Sequence, residues 1–187
     1  MSLPVHLAHG LHGDQTAPDW PPLTLAEAGA VLAQCPDAGA LQRILWHSPR
    51  PLSAACLVAT TRGTLFIKRH HRQVRDAVTL GEEHRFLRHL HARGLPVATL
   101  LAGAGGGTVL AHGDFSYEVL TRAAGVDLYR DVISWQPIHS PAHAHAAGHM
   151  LGRLATAAHG WTAPQRSTHV LVARSEILRF EEAEGGK

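Results

Sequence analysis

A short apolar strand that ends in a lysine constrains the fold of this chain more than any other stretch. Arg62-Gly63 is typical of a tight turn, because Gly adopts positive φ without steric cost. Thr64 to Ile67 is rich in β-branched and aromatic residues, which predicts a strand. Lys68 follows at its end, where an unpaired buried ammonium would be costly. We therefore expect a carboxylate from a neighbouring element to lie beside Lys68.

The helix predicted after this strand, at about Asp76 to Arg93, offers that carboxylate. One helical face, at i, i+3, i+4 and i+7, is formed by Glu83, Phe86, Leu87 and Leu90. Glu83 is thus an acidic residue on an otherwise apolar stripe, and we predict that it pairs with Lys68. The alternative is that Lys68 reaches into water and that Glu83 is ordinary solvated helix charge.

Composition limits the classes of protein to which the chain can belong. Its 187 residues and 45% hydrophobic content fit one globular domain of ordinary size, and its net charge of +2 is close to neutral. No basic run suggests a nucleic-acid partner, and no apolar segment approaches the ~20 residues of a membrane span. The first residues, Met1 to Asp14, contain no Lys or Arg and do not resemble a secretory signal. Cys35 and Cys56 are predicted to be reduced core residues of a cytoplasmic protein.

Local signals divide the chain into three parts. Residues 1–40 are predicted as an extension, in which Thr24-Leu25-Ala26-Glu27 forms a capping box that begins a short helix. Residues 41–121 carry six segments with strand character, at Leu41 to Trp46, Ala54 to Thr60, Thr64 to Ile67, Thr99 to Ala102, Thr108 to His112 and Phe115 to Thr121. Residues 122–187 carry a long helix, with Ser140 as N-cap and Pro141 at its first position. The predicted fold class is α+β, a five-stranded antiparallel sheet with one packed helix.

Four segments stand in a characteristic order between about Leu41 and Gly160. They are Leu65-Phe66-Ile67-Lys68, the helix Glu83 to Leu90 with its exit Gly94-Leu95-Pro96-Val97, the strand and hinge Tyr117 to Leu128, and the helix Gly148 to Leu154. In this order they resemble the aminoglycoside phosphotransferase and choline-kinase-like family, which shares the protein kinase fold. The resemblance implies a nucleotide-binding lobe at 41–121, followed by a hinge and the first helix of a truncated helical lobe.

The resemblance also implies an activity and a nucleotide site. Family members transfer the γ-phosphoryl group of ATP, with Mg²⁺, to the hydroxyl of a small molecule. The implied ATP-binding residues are Lys68, Glu83, Ser53, Ala54, Leu120, Thr121 and Arg122. Ser53 and Ala54 stand, with Ala55, where the family usually has glycines over the phosphates, and their small size lets backbone N–H groups approach a phosphate. The phosphate acceptor is not indicated by the sequence.

The family's catalytic loop is missing. It reads His-x-Asp-x-x-x-x-Asn, in which Asp accepts the hydroxyl proton and Asn holds a metal ion. The chain contains no Asn, so it cannot complete the loop, and we assign no catalytic or metal-binding residues. His112-Gly113-Asp114 lies between two strands and is predicted to be a turn. His12-Gly13-Asp14 lies upstream of the nucleotide lobe and is a weak candidate for the loop. We therefore expect this chain to be inactive alone.

Two other functions are compatible with the sequence. One is a non-catalytic nucleotide-binding or interaction module. The other is a His-rich metal-binding protein, since the chain has 16 His and His145 and His149 lie at i, i+4. The helix Pro141 to His159 carries an apolar stripe of Ala147, Met150, Leu151, Leu154 and Ala158. Without a second lobe to cover this stripe, we expect it to associate with a second copy as a homodimer.

Overall fold

The computed structural model of the protein describes residues 21–48, 54–72, 75–126, 128 and 137–163. Within these residues the sheet has five antiparallel strands, β1 (Leu41–His47), β2 (Ala54–Thr60), β3 (Gly63–His71), β4 (Leu110–His112) and β5 (Phe115–Thr121), in the order β1-β2-β3-β5-β4. The same residues form the helices α1 (Leu25–Leu32), α2 (Ala77–Ala92) and α3 (Pro141–Ala158). The predicted α+β fold with a five-stranded antiparallel sheet is confirmed. His12-Gly13-Asp14 lies outside the described residues.

The segment Thr99 to Ala102 is the one predicted strand that the structure does not form. It makes an isolated bridge between Leu100 and Leu120, with a hydrogen bond from the Leu101 amide to the Val119 carbonyl (2.8 Å). The reason is that β5 has a single outer edge. The short strand β4 occupies the first half of that edge, and the segment at 99–101 lies along the second half. Neither stretch is long enough to cover the whole edge.

The beginnings of the helices follow the predicted caps. The Thr24 side chain accepts a hydrogen bond from the Glu27 amide (3.1 Å), and the Glu27 carboxylate accepts one from the Thr24 amide (3.4 Å), which completes the capping box. The Ser140 side chain caps α3 by accepting a hydrogen bond from the His143 amide (3.2 Å), with Pro141 at the first position. His112-Gly113-Asp114 forms the predicted turn between β4 and β5. Gly113 has a φ of +56°, a conformation that most side chains disfavour.

One face of the sheet, here called the core face, packs against α1. Alternate strand residues point to this side, among them Val58, Ile67 and Val119, and none of these three exposes any of its surface. Val31 of α1 is equally buried and belongs to the same cluster. Burying each such side chain stabilises the fold by about 1.5–3 kcal/mol. The core face is thus a structural layer, and the chemistry lies on the other side.

A cation is built into the edge of this core. The Arg69 guanidinium donates to Glu27 Oε1 (2.8 Å) and to the Pro21 carbonyl, and it lies 4.6 Å from the centre of the Phe115 ring. The Tyr117 hydroxyl donates to the same Glu27 oxygen (2.5 Å). Burial and the hydrogen bond to Glu27 raise the pKa of Tyr117 well above its usual range. The network therefore attaches the first turn of α1 to β3 and β5.

Both cysteines are buried, as the sequence predicted, and neither forms a disulfide in this structure. Cys56 points into the core face from β2, and burial raises the pKa of its thiol to about 12. A thiol that stays protonated at neutral pH is a poor nucleophile and a poor metal ligand. Cys35 and Cys56 therefore act as small apolar core residues.

The last described helix packs on α2 through a small contact. Ala157 of α3 is buried against Leu90 and Leu95, and His89 contacts the Ala157 carbonyl through Nε2 (3.0 Å). Earlier in α3, Leu151 exposes 66% of its surface. Among the described residues, none of the helices has the length and apolar character needed to cross a membrane.

Candidate functional site

The second face of the sheet, here called the cleft face, carries the predicted lysine. Phe66, Lys68 and His70 alternate with core residues along β3 and so share this face. The antiparallel register places Leu120 opposite Phe66 and Glu118 opposite Lys68. Apolar residues therefore lie at one end of the face, and charged and imidazole groups lie at the other.

Lys68 is paired with a carboxylate, but not with the predicted one. Its Nζ lies 3.3 Å from Glu118 Oε1, whereas Glu83 accepts from Arg75 Nε at 3.1 Å. The predicted Lys68–Glu83 pair is therefore wrong. The reason is the rotation of α2 about its axis. His84, one position after Glu83, has no exposed surface, so Glu83 is turned toward the flank of the helix.

Glu118 also holds two histidines. His70 Nε2 lies 3.2 Å from Oε1, and His84 Nε2 lies 3.0 Å from Oε2. The chain of contacts continues through His84 Nδ1 to the Thr108 hydroxyl (2.8 Å), which also accepts from Arg88 (3.3 Å). A helix, two strands and the loop before β4 thus meet at one carboxylate.

The Glu118 carboxylate stays ionised in this setting. Burial alone would raise its pKa, because a charged group loses solvation when it leaves water. Hydrogen bonds from His70 and His84 and the charge of Lys68 outweigh burial and hold the pKa of Glu118 well below its usual range. At neutral pH the group is a buried anion beside an ammonium whose side chain is 41% exposed.

A cleft opens at the apolar end of the same face. It has a volume of about 410 Å³ and is lined by Trp46, Leu57, Phe66 and the segment 122–126. The Trp46 and Phe66 rings stack, with centroids 6.3 Å apart. Gly125 in the hinge has a φ of +110°, which lets the backbone turn along the cleft where a side chain would be strained. The cleft therefore offers flat apolar side chains and a run of backbone polar groups.

A bulge in β1 places Trp46 in this cleft. Residues two apart normally share a face, so Ile44 and Trp46 would both point into the core. Ile44 pairs with Val58, yet Trp46 pairs with Leu57, so two steps along β1 correspond to one step along β2. The extra residue is Leu45, which is 42% exposed. This bulge keeps Ile44 in the core and turns Trp46 to the opposite face.

The other predicted site residues are distributed unevenly. Arg122 lines the cleft, and Leu120 lies on the cleft face opposite Phe66. Thr121 is exposed, and its hydroxyl accepts from the Thr99 amide (2.9 Å). Ala54 belongs to the core cluster on the opposite face, while Ala55 lies opposite Lys68. Ser53 lies outside the described residues.

Sequence reasoning missed the residues that complete the site, namely Trp46, Phe66, His70, His84 and Glu118. A signal for Glu118 was present, because a lone carboxylate in the apolar strand Phe115–Thr121 needs a buried partner. The signal for His70 and His84 was weaker, since the chain contains 16 His and most give no sign of their position.

Two other places among the described residues are weaker candidates for a functional site. A larger cavity of about 750 Å³ lies between the end of α2 and α3, lined in part by Arg93, His149 and Arg153. It has neither an aromatic wall nor a carboxylate, so the smaller cleft beside Lys68 is the better candidate. His145 and His149 are exposed on α3, and the described part of the chain contains no group of three or more side chains arranged to hold a metal ion.

Comparison with solved structures agrees with this architecture. The chain is similar to the amicoumacin kinase hAmiN, with 18% identity over 76% of this chain and 42% of that one and a TM-score of 0.52. It is also similar to the spectinomycin phosphotransferase APH(9)-Ia, with 9% identity over 89% of this chain and 47% of that one and a TM-score of 0.54. The chain thus spans less than half the length of either structure, and the likeness shows the fold.

Comparison with protein sequences gives a more specific result than comparison with structures. No curated protein matches the chain. A family model described as the phosphotransferase enzyme family, APH, matches residues 49–184, which include β2 to β5, the Lys68–Glu118 pair, the hinge and α3. The chain therefore belongs to the phosphotransferase enzyme family.

Proposed function

We propose that the cleft binds the base of ATP and that Lys68 contacts its phosphates, as part of phosphoryl transfer to a small-molecule hydroxyl. The observation that carries this proposal is the arrangement along β3. Phe66 contributes to the apolar cleft, and Lys68 follows on the same face, about 7 Å further along the strand. A flat base and an anionic phosphate chain match an aromatic slot that ends in an exposed ammonium.

Two relatives with the same fold support the choice of ligand. The amicoumacin kinase structure is a complex with AMP-PNP, Ca²⁺ and its substrate, and the spectinomycin phosphotransferase structure is a complex with ADP and spectinomycin. The volume of about 410 Å³ also lies within the range of small-molecule sites. The acceptor of the phosphoryl group is left open, because no residue of the described site indicates it.

The chain's own residues account for binding and orientation only. Trp46 and Phe66 exclude water from the base, the backbone at 122–126 offers hydrogen-bonding groups to its edge, and Lys68 offers one charge to the phosphates. The described residues contain no group that fits a divalent metal, so we derive no step through one. The chain also has no Asn for the family loop. We therefore expect this polypeptide to bind ATP weakly and not to turn it over by itself.

Calorimetric titration of the purified chain with ATP and with adenosine tests the proposal. Removing Lys68 in Lys68→Ala should weaken ATP binding about 10- to 100-fold, because a hydrogen bond to a charged group contributes about 1.5–3 kcal/mol. Adenosine lacks phosphates, so its affinity should not change.

The matched control is Arg62→Ala. It also removes one positive charge, but Arg62 lies in the turn at the far end of β3 and pairs with the exposed Asp37 (3.2 Å). This variant should bind ATP like the wild type. Equal ATP affinities for the wild type and Lys68→Ala would refute the proposed site.

A further inference from the structure

We propose that Glu118 of β5, and not a carboxylate of α2, is the positioning residue for Lys68, and that His84 connects α2 to this pair. This inference rests on the proposed nucleotide site and goes beyond it. It concerns the group that fixes the direction of the ammonium before a nucleotide arrives.

The first argument is the register of the sheet. Lys68 and Glu118 are directly opposed in the β3–β5 ladder and leave the same face. The Glu118 side chain is 6% exposed, whereas that of Lys68 is 41% exposed. One partner is therefore fixed in the interior, and the other extends from it toward the cleft. A carboxylate fixed in this way restricts the directions in which the ammonium can point.

The second argument is the balance of hydrogen bonds around the carboxylate. An ionised carboxylate only accepts hydrogen bonds, so His84 Nε2 donates to Glu118 Oε2 (3.0 Å). On its other side, His84 Nδ1 lies 2.8 Å from the Thr108 hydroxyl, which accepts from Arg88 (3.3 Å). His84 is therefore held between the carboxylate and Thr108.

The same reasoning applies to His70. Its Nε2 donates to Glu118 Oε1, while its buried Nδ1 has no hydrogen-bond partner within the described part of the chain. The two histidines thus hold both oxygens of the carboxylate in place, and Lys68 is the partner of Glu118 that extends toward the cleft.

The third argument is the contact made by Glu83, the partner that the sequence predicted for Lys68. Glu83 Oε1 and Oε2 lie 3.1 and 3.2 Å from Arg75 Nε, just before α2. Its carboxylate is therefore engaged at the start of the helix. The inward position of α2 is taken by His84, so the helix reaches Lys68 through His84 and Glu118 in series. A change in α2 would be transmitted to the ammonium along this route.

A first experiment reads the position of Lys68 without any nucleotide. The chain contains only two lysines, Lys68 and Lys187, so a sample labelled with ¹³C at lysine Cε gives two side-chain NMR signals. The two ε protons of a lysine held in one conformation have different chemical shifts, which splits the signal. In a freely rotating side chain the two shifts are equal. Glu118→Gln should collapse the splitting of the Lys68 signal and leave the Lys187 signal unchanged. A Lys68 signal that is identical in wild type and Glu118→Gln would overturn the inference.

A second experiment is a double-mutant cycle on ATP affinity. Glu118→Gln should weaken ATP binding about 2- to 10-fold, the cost of ordering one mobile side chain on binding, and should leave adenosine affinity unchanged. In a Lys68→Ala background the same substitution should not change ATP affinity, because the ammonium that Glu118 positions is absent. An equal loss in both backgrounds would show that Glu118 acts only through the fold.

The variants are chosen so that failure to fold does not decide the result. Should Glu118→Gln not fold, Glu118→Asp keeps the charge but withdraws it from Lys68, and the same collapse of the signal is expected. His84→Gln, which retains an N–H donor, should behave like wild type, whereas His84→Leu should mobilise Lys68.

The inference and the proposed function can fail separately. If Glu118→Gln loses the Lys68 splitting but the wild-type chain binds no ATP, the nucleotide site alone is refuted. ATP binding that depends on Lys68 but not on Glu118 would refute the positioning role alone.

Discussion

Two adjacent residues of β3 hold cations on opposite faces of the sheet. Arg69 supports the fold by pairing with Glu27 on the core face, and Lys68 pairs with Glu118 on the cleft face. Arg69 is 5% exposed and engaged on several sides, so it has no freedom to meet a ligand. Among the described residues, the charged partner of Lys68 is the Glu118 carboxylate. The difference in exposure decides which cation is structural and which is available for function.

The low pKa of Glu118 gives a prediction for stability against pH. A carboxylate whose pKa is lower in the folded than in the unfolded state stabilises the fold at pH values above its unfolded-state pKa, here the usual 4.5. That stabilisation is lost as the pH falls from 4.5 toward the lower pKa of the folded state. In urea unfolding of wild type and Glu118→Gln, we expect the difference in unfolding free energy to shrink as pH is lowered from about 6 to about 3.

Glu27 provides the internal control for this series. Its pKa is also lowered, with burial opposing and the bonds from Tyr117 and Arg69 prevailing, and it is unchanged in the variant. Both proteins should therefore still lose stability in acid, the wild type more steeply. Parallel curves for the two proteins would mean that Glu118 is not held as an anion in the folded state.

At the scale of elements, the sequence predicted the features that depend on neighbouring residues. It did not predict how separate elements align with one another. The caps at Thr24 and Ser140 and the strand Phe115–Thr121 depend on neighbouring residues and were predicted correctly. The pairing of Lys68 with Glu118 depends on the register of two strands that α2 separates in sequence. No local pattern specifies that register.

The choice between Glu83 and His84 failed for a related reason. The two residues are adjacent, so a rotation of α2 by one position exchanges them, and the apolar stripe is too broad to distinguish the two orientations. Trp46 was missed because an alternating pattern gives no sign of a bulge. The candidate site was therefore predicted only in its local part, the strand that carries Lys68 and the hinge residue Arg122.

The bulge at Leu45 in β1 predicts that this strand tolerates the deletion of one residue. Deleting Leu45 removes the extra residue between Ile44 and Trp46, which can then keep their partners Val58 and Leu57. The second register shift of β1, between Leu41 and Arg43, is unaffected by this deletion. We expect this deletion to fold and to lose no more than about 2 kcal/mol, the range of ordinary substitutions. Deleting Leu57 from β2, which pairs regularly with β3, should prevent folding because it moves core residues to the other face. Urea unfolding of both proteins measures the contrast, and similar losses would contradict the assignment of the bulge.

At the scale of the whole molecule, α3 leaves an apolar surface uncovered by the other described residues. Met150 exposes 38% and Leu151 66% of its surface, and Ala147 is also exposed. The helix is fixed to α2 through the small cluster around Ala157. An apolar stripe of this kind favours contact with another surface. We keep the prediction that the chain associates with itself through this helix.

Light scattering over a concentration series measures this association. The mass should rise with concentration, and Leu151→Glu should abolish the rise, because a carboxylate opposes burial of the stripe. The matched control is Val78→Glu, which places the same charge at an exposed valine of α2 (71% exposed) away from α3. A wild-type mass that stays monomeric at all concentrations would contradict the prediction.

The central claim is that the cleft beside Trp46 receives the base of the nucleotide. The most direct measurement is the ¹⁵N spectrum of the four tryptophan indole groups during titration with ATP, with the Trp46 signal identified from Trp46→Phe. We predict that this signal shifts and saturates with ATP. The signal of Trp161, which packs on Phe86 and His89 (centroids 5.4 and 4.9 Å), should stay fixed. An unmoved Trp46 signal when calorimetry shows bound ATP would contradict the account.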